Sequence, residues 1–274
     1  MGAESGTLSI TSVLTRSWAV FKACWLPFSG IMLLAGVLAA IAVGILFFGC
    51  ILAIEAMPSE GGGGFYISDS QTVVMGITLA LMAAASFAIL QVGAAAVAFG
   101  TLQQMRAQPA DFKRCVNHGF AVMAPVSGVA LLVGLITGIP AAALAVLGTI
   151  ADSPIIFVGL VLAPLIAVPF LVAVPAAALE RKGVSSALAR SIELTRGNYG
   201  RLLGILLLMA AAYVAIMTLL GTAMDVIISI LMPFSLAAFL AYGTFAAVVA
   251  AVLYLELRRV KEGIGAEEAA SLFD

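Results

Sequence analysis

The residues able to do chemistry in this sequence of 274 residues are few and lie far apart. His118 is the only histidine, and the three cysteines, Cys24, Cys50 and Cys115, fall in different segments. A catalytic zinc site usually needs three protein ligands, and the sequence contains no HExxH, GxSxG or Walker phosphate-binding motif. We therefore expect no enzyme activity, no cofactor and no metal. His118 is expected at a solvated or interfacial position, and the thiols are expected to be free and packed as small apolar groups.

One segment concentrates positive charge. Five cations fall within 21 residues, and we name this set the basic collar: Arg181, Lys182, Arg190, Arg196 and Arg201. At an anionic leaflet each such cation adds up to about 1 kcal/mol of attraction to lipid. The basic collar therefore predicts binding of anionic lipid headgroups, with orientation and anchoring alone as the alternative. Glu193, three residues from both Arg190 and Arg196, is expected to offset part of this charge by pairing within a helix.

The composition excludes a water-soluble domain. The chain is 63% hydrophobic and only 10% charged, with a mean hydropathy of +1.19, whereas soluble domains are roughly 45–50% apolar and about 25% charged. Disorder is excluded as well, because disordered chains are polar and charged. The net charge of −1 gives no indication of a nucleic-acid partner. The class that remains is an integral membrane protein.

The charged residues divide the chain into apolar windows that predict six membrane spans. Six windows of 23 to 37 residues contain no Asp, Glu, Lys or Arg, and a helix needs about 20 apolar residues to cross a bilayer. The predicted fold is an all-α polytopic bundle that forms one membrane domain over residues 1–274. Its spans are 28–54, 73–101, 120–149, 155–178, 202–222 and 235–255.

The cations also predict the orientation of these spans. If the N-terminus is cytoplasmic, all 13 Lys and Arg fall in inner segments, and the outer loops carry only acidic charges. Cytoplasmic loops retain Lys and Arg, so both termini are expected in the cytoplasm. No cleavable signal peptide is expected before the first span, because Met1 to Ser12 is polar.

The sequence contains a segment that recurs three times. An arginine flanked two residues away by large apolar side chains occurs at Arg16, Arg114 and Arg190, and each is followed fourteen residues later by a glycine. Each copy precedes an odd-numbered span. The prediction is three hairpins in the same orientation, each preceded by an interfacial amphipathic helix. The pseudo-repeats cover about residues 8–104, 108–179 and 183–263.

Helical periodicity supports these interfacial helices unequally. In the first copy, Leu14, Trp18, Phe21 and Trp25 share one face, with Arg16 opposite. In the third copy, residues 184, 188 and 192 form the apolar face while Arg190 points away. The second copy is the weakest, because Gly119 interrupts its apolar face.

Two segments resemble a known family, and a third is similar to it less specifically. The segment from Glu180-Arg-Lys-Gly183 through Ala187–Gly197 to Arg201-Leu-Leu-Gly204 resembles the characteristic loop of the glycerophosphoryl diester phosphodiesterase membrane-domain family. The segment Tyr254–Gly263 is similar to that family's closing motif, and Ile10–Phe28 is similar to its opening segment. The resemblance implies a stand-alone bacterial six-span member in the inner membrane. No catalytic domain is expected after the closing motif, and the role of such members is not established.

Some residues keep two interpretations at this stage. Asp225 is expected at an outer turn, with a buried ion-path residue as the alternative. Pro154, Pro164, Pro169 and Pro175 either kink the fourth span to open a cavity or only shape its contacts. The glycines of the Gly93–Gly100 and Gly134–Gly138 stretches are expected to serve helix packing.

The sequence thus supports two hypotheses about function. The first is a non-enzymatic bacterial inner-membrane protein that binds anionic lipid, or a partner protein, through the basic collar. The alternative is a carrier, or a transport accessory, for a lipid or small amphiphile. A carrier is expected to have a polar-lined cavity that reaches the middle of the membrane, whereas a binding protein is expected to be closed.

Overall fold

The structure is a computed structural model that describes residues 8–56, 69–150, 162, 164–180, 183–224 and 228–263. Over these ranges all regular structure is helical, as predicted. A 3₁₀ turn at Val168–Phe170 precedes the fifth α-helix. The α-helices are α1 (Ile10–Glu55), α2 (Asp69–Met105), α3 (Phe112–Ala121), α4 (Met123–Ile150), α5 (Ala173–Glu180), α6 (Val184–Thr195), α7 (Tyr199–Met224) and α8 (Ile228–Glu262).

Five of these helices are long and apolar enough to cross a membrane: α1, α2, α4, α7 and α8. They correspond to the first, second, third, fifth and sixth predicted spans. Large apolar side chains lie exposed along their outer faces, for example Leu33, Ile45, Phe48, Leu79 and Leu208. So much contiguous apolar surface is compatible with lipid rather than water. The chain is a helical membrane protein.

The fourth predicted span has a different structure in its described part. An apolar segment at Pro164–Glu180 is too short to count as a sixth long helix, and Pro154 lies outside the described residues. The segment breaks into the 3₁₀ turn and α5, and the carbonyl of Pro169 accepts a hydrogen bond from Ser191 Oγ at 2.7 Å. The hydroxyl of Thr195 lies 3.5 Å from the same carbonyl. At Pro169, therefore, the break shapes a contact with α6.

Three helices form the centre of the bundle. Helix α2 packs against α5 and α8, and α5 also contacts α8. The remaining long helices lie outside them: α1 between α2 and α8, α4 between α2 and α5, and α7 against α8 and the 3₁₀ turn. The short helix α3 packs mainly on α2, and α6 packs mainly on α5.

Each amphipathic segment is separated from the following long helix by a break. In α1 the break is at Cys24 (φ −124°, ψ 21°), three residues before Pro27. Val122 (φ −104°, ψ 12°) separates α3 from α4, and Gly197 (φ +90°) turns the chain between α6 and α7. A proline ring clashes with the carbonyl group four residues earlier and so disrupts the preceding helical turn. A left-handed φ favours glycine. The sequence therefore specifies these breaks locally.

The predicted apolar face of the first amphipathic helix is not the face that packs on the bundle. Trp18 and Trp25 are 49% and 56% exposed, while the adjacent stripe Val13, Ser17 and Val20 is buried. Trp18 still contacts the protein at one edge, where it meets Phe245. The aromatic stripe therefore faces outward, as expected for a helix at a membrane interface, where tryptophan is enriched.

Glycines permit the closest helix contacts, as predicted for α2. A Cβ placed on Gly93 would lie 2.8 Å from Cβ of Ala35, and one on Gly100 would lie 2.6 Å from Phe28. Gly119, which interrupts the apolar face of α3, lies against Ala96 in the same way. Gly138 has open space around it, so the 134–138 pair does not form an equally tight contact.

Candidate functional site: a charged cluster at one end of the bundle

Arg190 lies at the centre of a largely buried charged cluster. Its Nε donates to Glu180 Oε1 at 3.0 Å, and its Nη1 donates to Glu193 Oε2 at 3.2 Å. Its Nη2 pairs with Glu262 at the end of α8. The Arg190 side chain is 17% exposed and that of Glu180 is 7% exposed. One guanidinium therefore joins the end of α5, the middle of α6 and the end of α8.

Two residues of α8 complete this group, which we name the Arg190 cluster: Glu180, Arg190, Glu193, Tyr254, Arg258 and Glu262. The buried Tyr254 hydroxyl donates to Glu180 Oε1 at 2.6 Å. Arg258 Nε donates to Glu262 Oε2 at 2.9 Å, and its guanidinium lies 5.9 Å from the Tyr254 ring centre. With three carboxylates and two guanidinium groups, the cluster has a net formal charge of −1.

The cluster holds Arg190 in its charged form. Burial alone would lower the pKa of Arg190, but hydrogen bonds and charge from Glu180 and then Glu193 more than offset it, so that the pKa is raised. A guanidinium held by several carboxylates is a fixed structural cation rather than a group that exchanges protons.

A second ion pair joins the beginning and the end of the chain. Arg16 Nη1 on α1 pairs with Glu256 Oε1 on α8. Glu256 is buried, and Arg259 Nη1 lies 4.0 Å from its other oxygen. Glu256, which directly follows the last predicted span, thus joins α8 to the first amphipathic segment.

The members of the basic collar have different environments. Arg190 belongs to the Arg190 cluster, and its predicted pairing with Glu193 is confirmed. Arg201 Nη1 donates to the carbonyl of Leu8 at 2.9 Å, and Arg196 is exposed at the end of α6. Arg181 and Lys182 lie outside the described residues. The contacts of Arg190 with Glu180 and Glu262 could not be inferred from spacing, because they join separate helices.

His118 was expected at a solvated or interfacial position; it is buried, so the solvated alternative is wrong. Its Nε2 lies 2.9 Å from the carbonyl oxygen of Ala178, and its ring stacks on Phe99 with centroids 4.1 Å apart. Lys113 and Arg114 lie nearby in sequence but are exposed. The helical position of His118 places it among the residues that pack on α2 and α5.

The cysteines are free, as predicted. Cys24 and Cys115 are buried, and burial, with a smaller contribution from Asp111, raises the pKa of the Cys115 thiol to about 11. Cys115 is therefore neutral near pH 7 and behaves as an apolar group. Across the described ranges, no three His, Cys, Asp or Glu side chains come close enough to hold a metal.

Several cations remain exposed after these contacts are made. They belong to the segments that the sequence predicts to be cytoplasmic, and Lys22 lies 5.2 Å from the ring centre of Trp18. We name this set the exposed cations: Lys22, Lys113, Arg114, Arg196, Arg259 and Lys261.

No family model, curated protein or solved structure matches this chain. The resemblance to the glycerophosphoryl diester phosphodiesterase membrane-domain family therefore stays a prediction. It is notable that Glu180, Arg190, Tyr254, Arg258 and Glu262, which lie in the two segments that carry the resemblance, all belong to the Arg190 cluster.

Proposed function

We propose that this chain is a non-enzymatic protein of the bacterial inner membrane that binds anionic lipid headgroups at its cytoplasmic face. In this proposal six spans form three hairpins, each preceded by an interfacial helix, and both termini are cytoplasmic. The Arg190 cluster and the Arg16–Glu256 pair hold the bundle together at this face. The exposed cations, together with Arg181 and Lys182 of the basic collar, supply the charge that attracts lipid.

Burial supports the three-unit architecture. Counting from Arg16, Arg114 and Arg190, the residues 1, 4, 8, 12 and 15 positions later are buried in all three copies. The high apolar content of the chain does not explain this agreement, because polar side chains at the aligned positions are buried as well. The aligned residues are Ser17, Cys115 and Ser191; Val20, His118 and Leu194; Cys24, Val122 and Asn198; Phe28, Val126 and Leu202; and Ile31, Val129 and Ile205.

The contacts of the three aligned glycines also support it. A Cβ on Gly30 would meet Phe112, the first residue of α3, at 3.3 Å. One on Gly128 would meet Val184, the first residue of α6, at 2.7 Å. One on Gly204 would meet Ile10, the first residue of α1, at 3.6 Å. Each unit thus contacts the beginning of the next, and the third contacts the first, as in a closed ring of three.

The ion pairs follow the same order. Glu180, at the end of the second hairpin, pairs with Arg190 of the third unit, and Glu256, at the end of the third, pairs with Arg16 of the first. These contacts, with that of Arg201 and Leu8, gather segments predicted to be cytoplasmic at one end of the bundle. A single cytoplasmic face requires this arrangement.

The observation that carries the lipid-binding proposal is the division of the cations into two groups. Arg190 and Arg258 are largely buried and pair with carboxylates, and the half-exposed Arg16 pairs with the buried Glu256, whereas the exposed cations lie at the surface. His118 and the cysteines are used in packing, which is why we propose no catalytic role for them. The cleft between α1, α2, α3 and α4 is apolar apart from Ser127, which favours binding over a polar transport pathway.

The lipid preference of the purified protein tests this proposal. Native mass spectrometry is expected to show tighter retention of phosphatidylglycerol than of phosphatidylcholine. Combining Arg181→Gln, Lys182→Gln and Arg196→Gln is expected to weaken phosphatidylglycerol binding on the order of a hundredfold, since each cation contributes up to about 1 kcal/mol.

The matched control keeps the charge and changes the side chain: Arg181→Lys, Lys182→Arg and Arg196→Lys together. Near-normal retention is expected for it, because an anionic surface attracts either cation. Equal retention of both lipids by the unmodified protein, or an unchanged preference after neutralisation, would contradict the proposal.

A further inference from the structure

One of the three unit junctions differs from the other two. The ends of the hairpins align at Leu102-Gln103, Leu179-Glu180 and Leu255-Glu256, and these residues are largely buried in each case. Glu180 and Glu256 pair with the arginine of the next unit, but Gln103 is neutral. Its Oε1 lies 3.9 Å from the Sγ of Cys115, beside Arg114.

Because Gln103 is uncharged, it cannot form an ion pair with Arg114 like those that Arg16 and Arg190 form with glutamates. The ion-pair partner of Arg114 among the described residues is Asp111, at 3.8 Å, and the two side chains are 77% and 52% exposed. An exposed pair at that distance contributes little, because water screens it. Arg114 and the neighbouring exposed Lys113 therefore offer their charge to a ligand.

An apolar cleft opens at the same junction. It has a volume of about 270 Å³ and lies between α1, α2, α3 and α4, with Ile31, Leu38, Val92, Ala96, Phe120 and Ser127 among its lining residues. Gly119 contributes to its width, because this position carries Phe21 in the first unit and Thr195 in the third. From Ile31 to Leu38 the cleft extends about 10 Å along α1.

Lys113 lies on the helix face that leads into this cleft, and Arg114 is the next residue along α3. Lys113 precedes Val116 by three residues and Phe120 by seven, so all three share one face of α3, and Val116 and Phe120 line the cleft. The cytoplasmic end of the cleft is thus basic, and its interior is apolar.

We infer that this cleft holds one acyl chain of an anionic phospholipid from the cytoplasmic leaflet, with the phosphate bound by Lys113 and Arg114. The inference rests on the part of the proposed function that makes the chain an anionic-lipid-binding membrane protein. It adds a defined site, distinct from the basic collar. A volume of about 270 Å³ is too small to take in a partner's helix of about 10 Å diameter. A cationic mouth beside an apolar channel is complementary to an anionic amphiphile.

Filling the cleft tests the inference. The full-length protein, purified in detergent, is titrated with dioleoylphosphatidylglycerol and analysed by native mass spectrometry. Ser127→Phe is expected to weaken the tightest lipid-binding step by about tenfold or more, because the acyl chain loses its channel. Ala212→Phe places the same ring on an exposed position of α7 and is expected to leave that step unchanged.

Neutralising the mouth tests the second half of the inference. Lys113→Gln combined with Arg114→Gln is expected to abolish the preference for phosphatidylglycerol over phosphatidylcholine at the tightest step. Lys113→Arg combined with Arg114→Lys is expected to keep it. If both pairs behave alike, the phosphate is not bound there and the inference is overturned.

A measurement on the unmodified protein removes any dependence on the folding of the variants. Phosphatidylglycerol with a photoactivatable diazirine in its acyl chain is expected to cross-link to partly buried cleft residues such as Val92 and Val116. Cross-links confined to exposed positions such as Leu208 and Leu219 would overturn the inference.

The remaining outcomes separate this site from the basic collar. If Ser127→Phe has no effect while neutralising Arg181, Lys182 and Arg196 weakens binding, the cleft inference fails and the proposed function stands. If only Ser127→Phe and the Lys113–Arg114 variant weaken binding, the inference stands and the role of the basic collar fails. Oleate that binds as tightly as phosphatidylglycerol, or a dimer that Ser127→Phe disperses, would overturn the assignment of the ligand.

Discussion

Arg190→Gln is expected to lower the free energy of unfolding by about 3–5 kcal/mol, because it leaves buried carboxylates without their shared cation. Glu180 and Glu262 both pair with this guanidinium, and Glu180 is 7% exposed. Thermal unfolding in detergent, followed with a thiol-reactive fluorophore, measures the effect directly, because unfolding exposes the buried Cys24 and Cys115.

The matched control lies six residues away. Arg196 is exposed at the end of α6, and Arg196→Gln is expected to change the unfolding free energy by no more than about 0.5 kcal/mol. Equal destabilisation by the two variants would mean that Arg190 is no more buried in the folded protein than Arg196. Such a result would contradict the buried, stabilising role of the Arg190 cluster.

Gly93→Ala is expected to destabilise the protein by about 1–3 kcal/mol, through overpacking between α1 and α2. The added Cβ would lie 2.8 Å from Cβ of Ala35, which has no side-chain rotation to relieve the contact, so the helices must move apart. The same thermal unfolding measurement applies.

Gly76→Ala, in the same helix, is the control. Nothing lies within 4 Å of the position of its Cβ, so alanine is expected to be neutral or to stabilise the helix by up to about 1 kcal/mol. If Gly93→Ala proves as well tolerated as Gly76→Ala, helices α1 and α2 do not pack at this distance.

The helical class and the positions of most long helices follow from the sequence, because charged residues are excluded from apolar spans wherever they occur. The breaks near Pro27 and Gly197 depend on the local sequence, so they can also be predicted from it. The fourth span was less predictable. In its described part the helix is interrupted at the 3₁₀ turn that contains Pro169, and the partner of the Pro169 carbonyl comes from α6, a separate helix.

The orientation of helix faces was the harder problem. In the first amphipathic segment, hydrophobic periodicity selected the stripe of Trp18 and Trp25, which faces outward, rather than the stripe of Val13 and Val20, which is buried. Lipid is as apolar as the protein interior, so hydrophobicity alone does not distinguish a lipid-facing stripe from a packed one. Ser17 is buried in the stripe that packs on the bundle, although hydrophobic periodicity does not predict burial of a polar serine.

The candidate site was only partly predictable for the same physical reason. The spacing of three residues predicts the Arg190–Glu193 pair, since it acts within one helix. The pairs with Glu180 and Glu262 need the tertiary arrangement, and so does the burial of His118 between Phe99 and Ala178. Carboxylates at the ends of apolar spans, such as Glu180 and Glu256, are a sequence feature from which interhelical pairing could have been predicted.

The most direct test of the central proposal is the membrane topology of the chain in bacterial cells. Reporters inserted at Gly62, at Asp152 and after Asp274 determine the compartment of each site. We predict that Gly62 and Asp152 lie outside the cytoplasm and that Asp274 lies inside, because every Lys and Arg then occupies the cytoplasmic face. A reporter at Gly62 or Asp152 in the same compartment as Asp274 would contradict three hairpins entering the membrane from a single basic face.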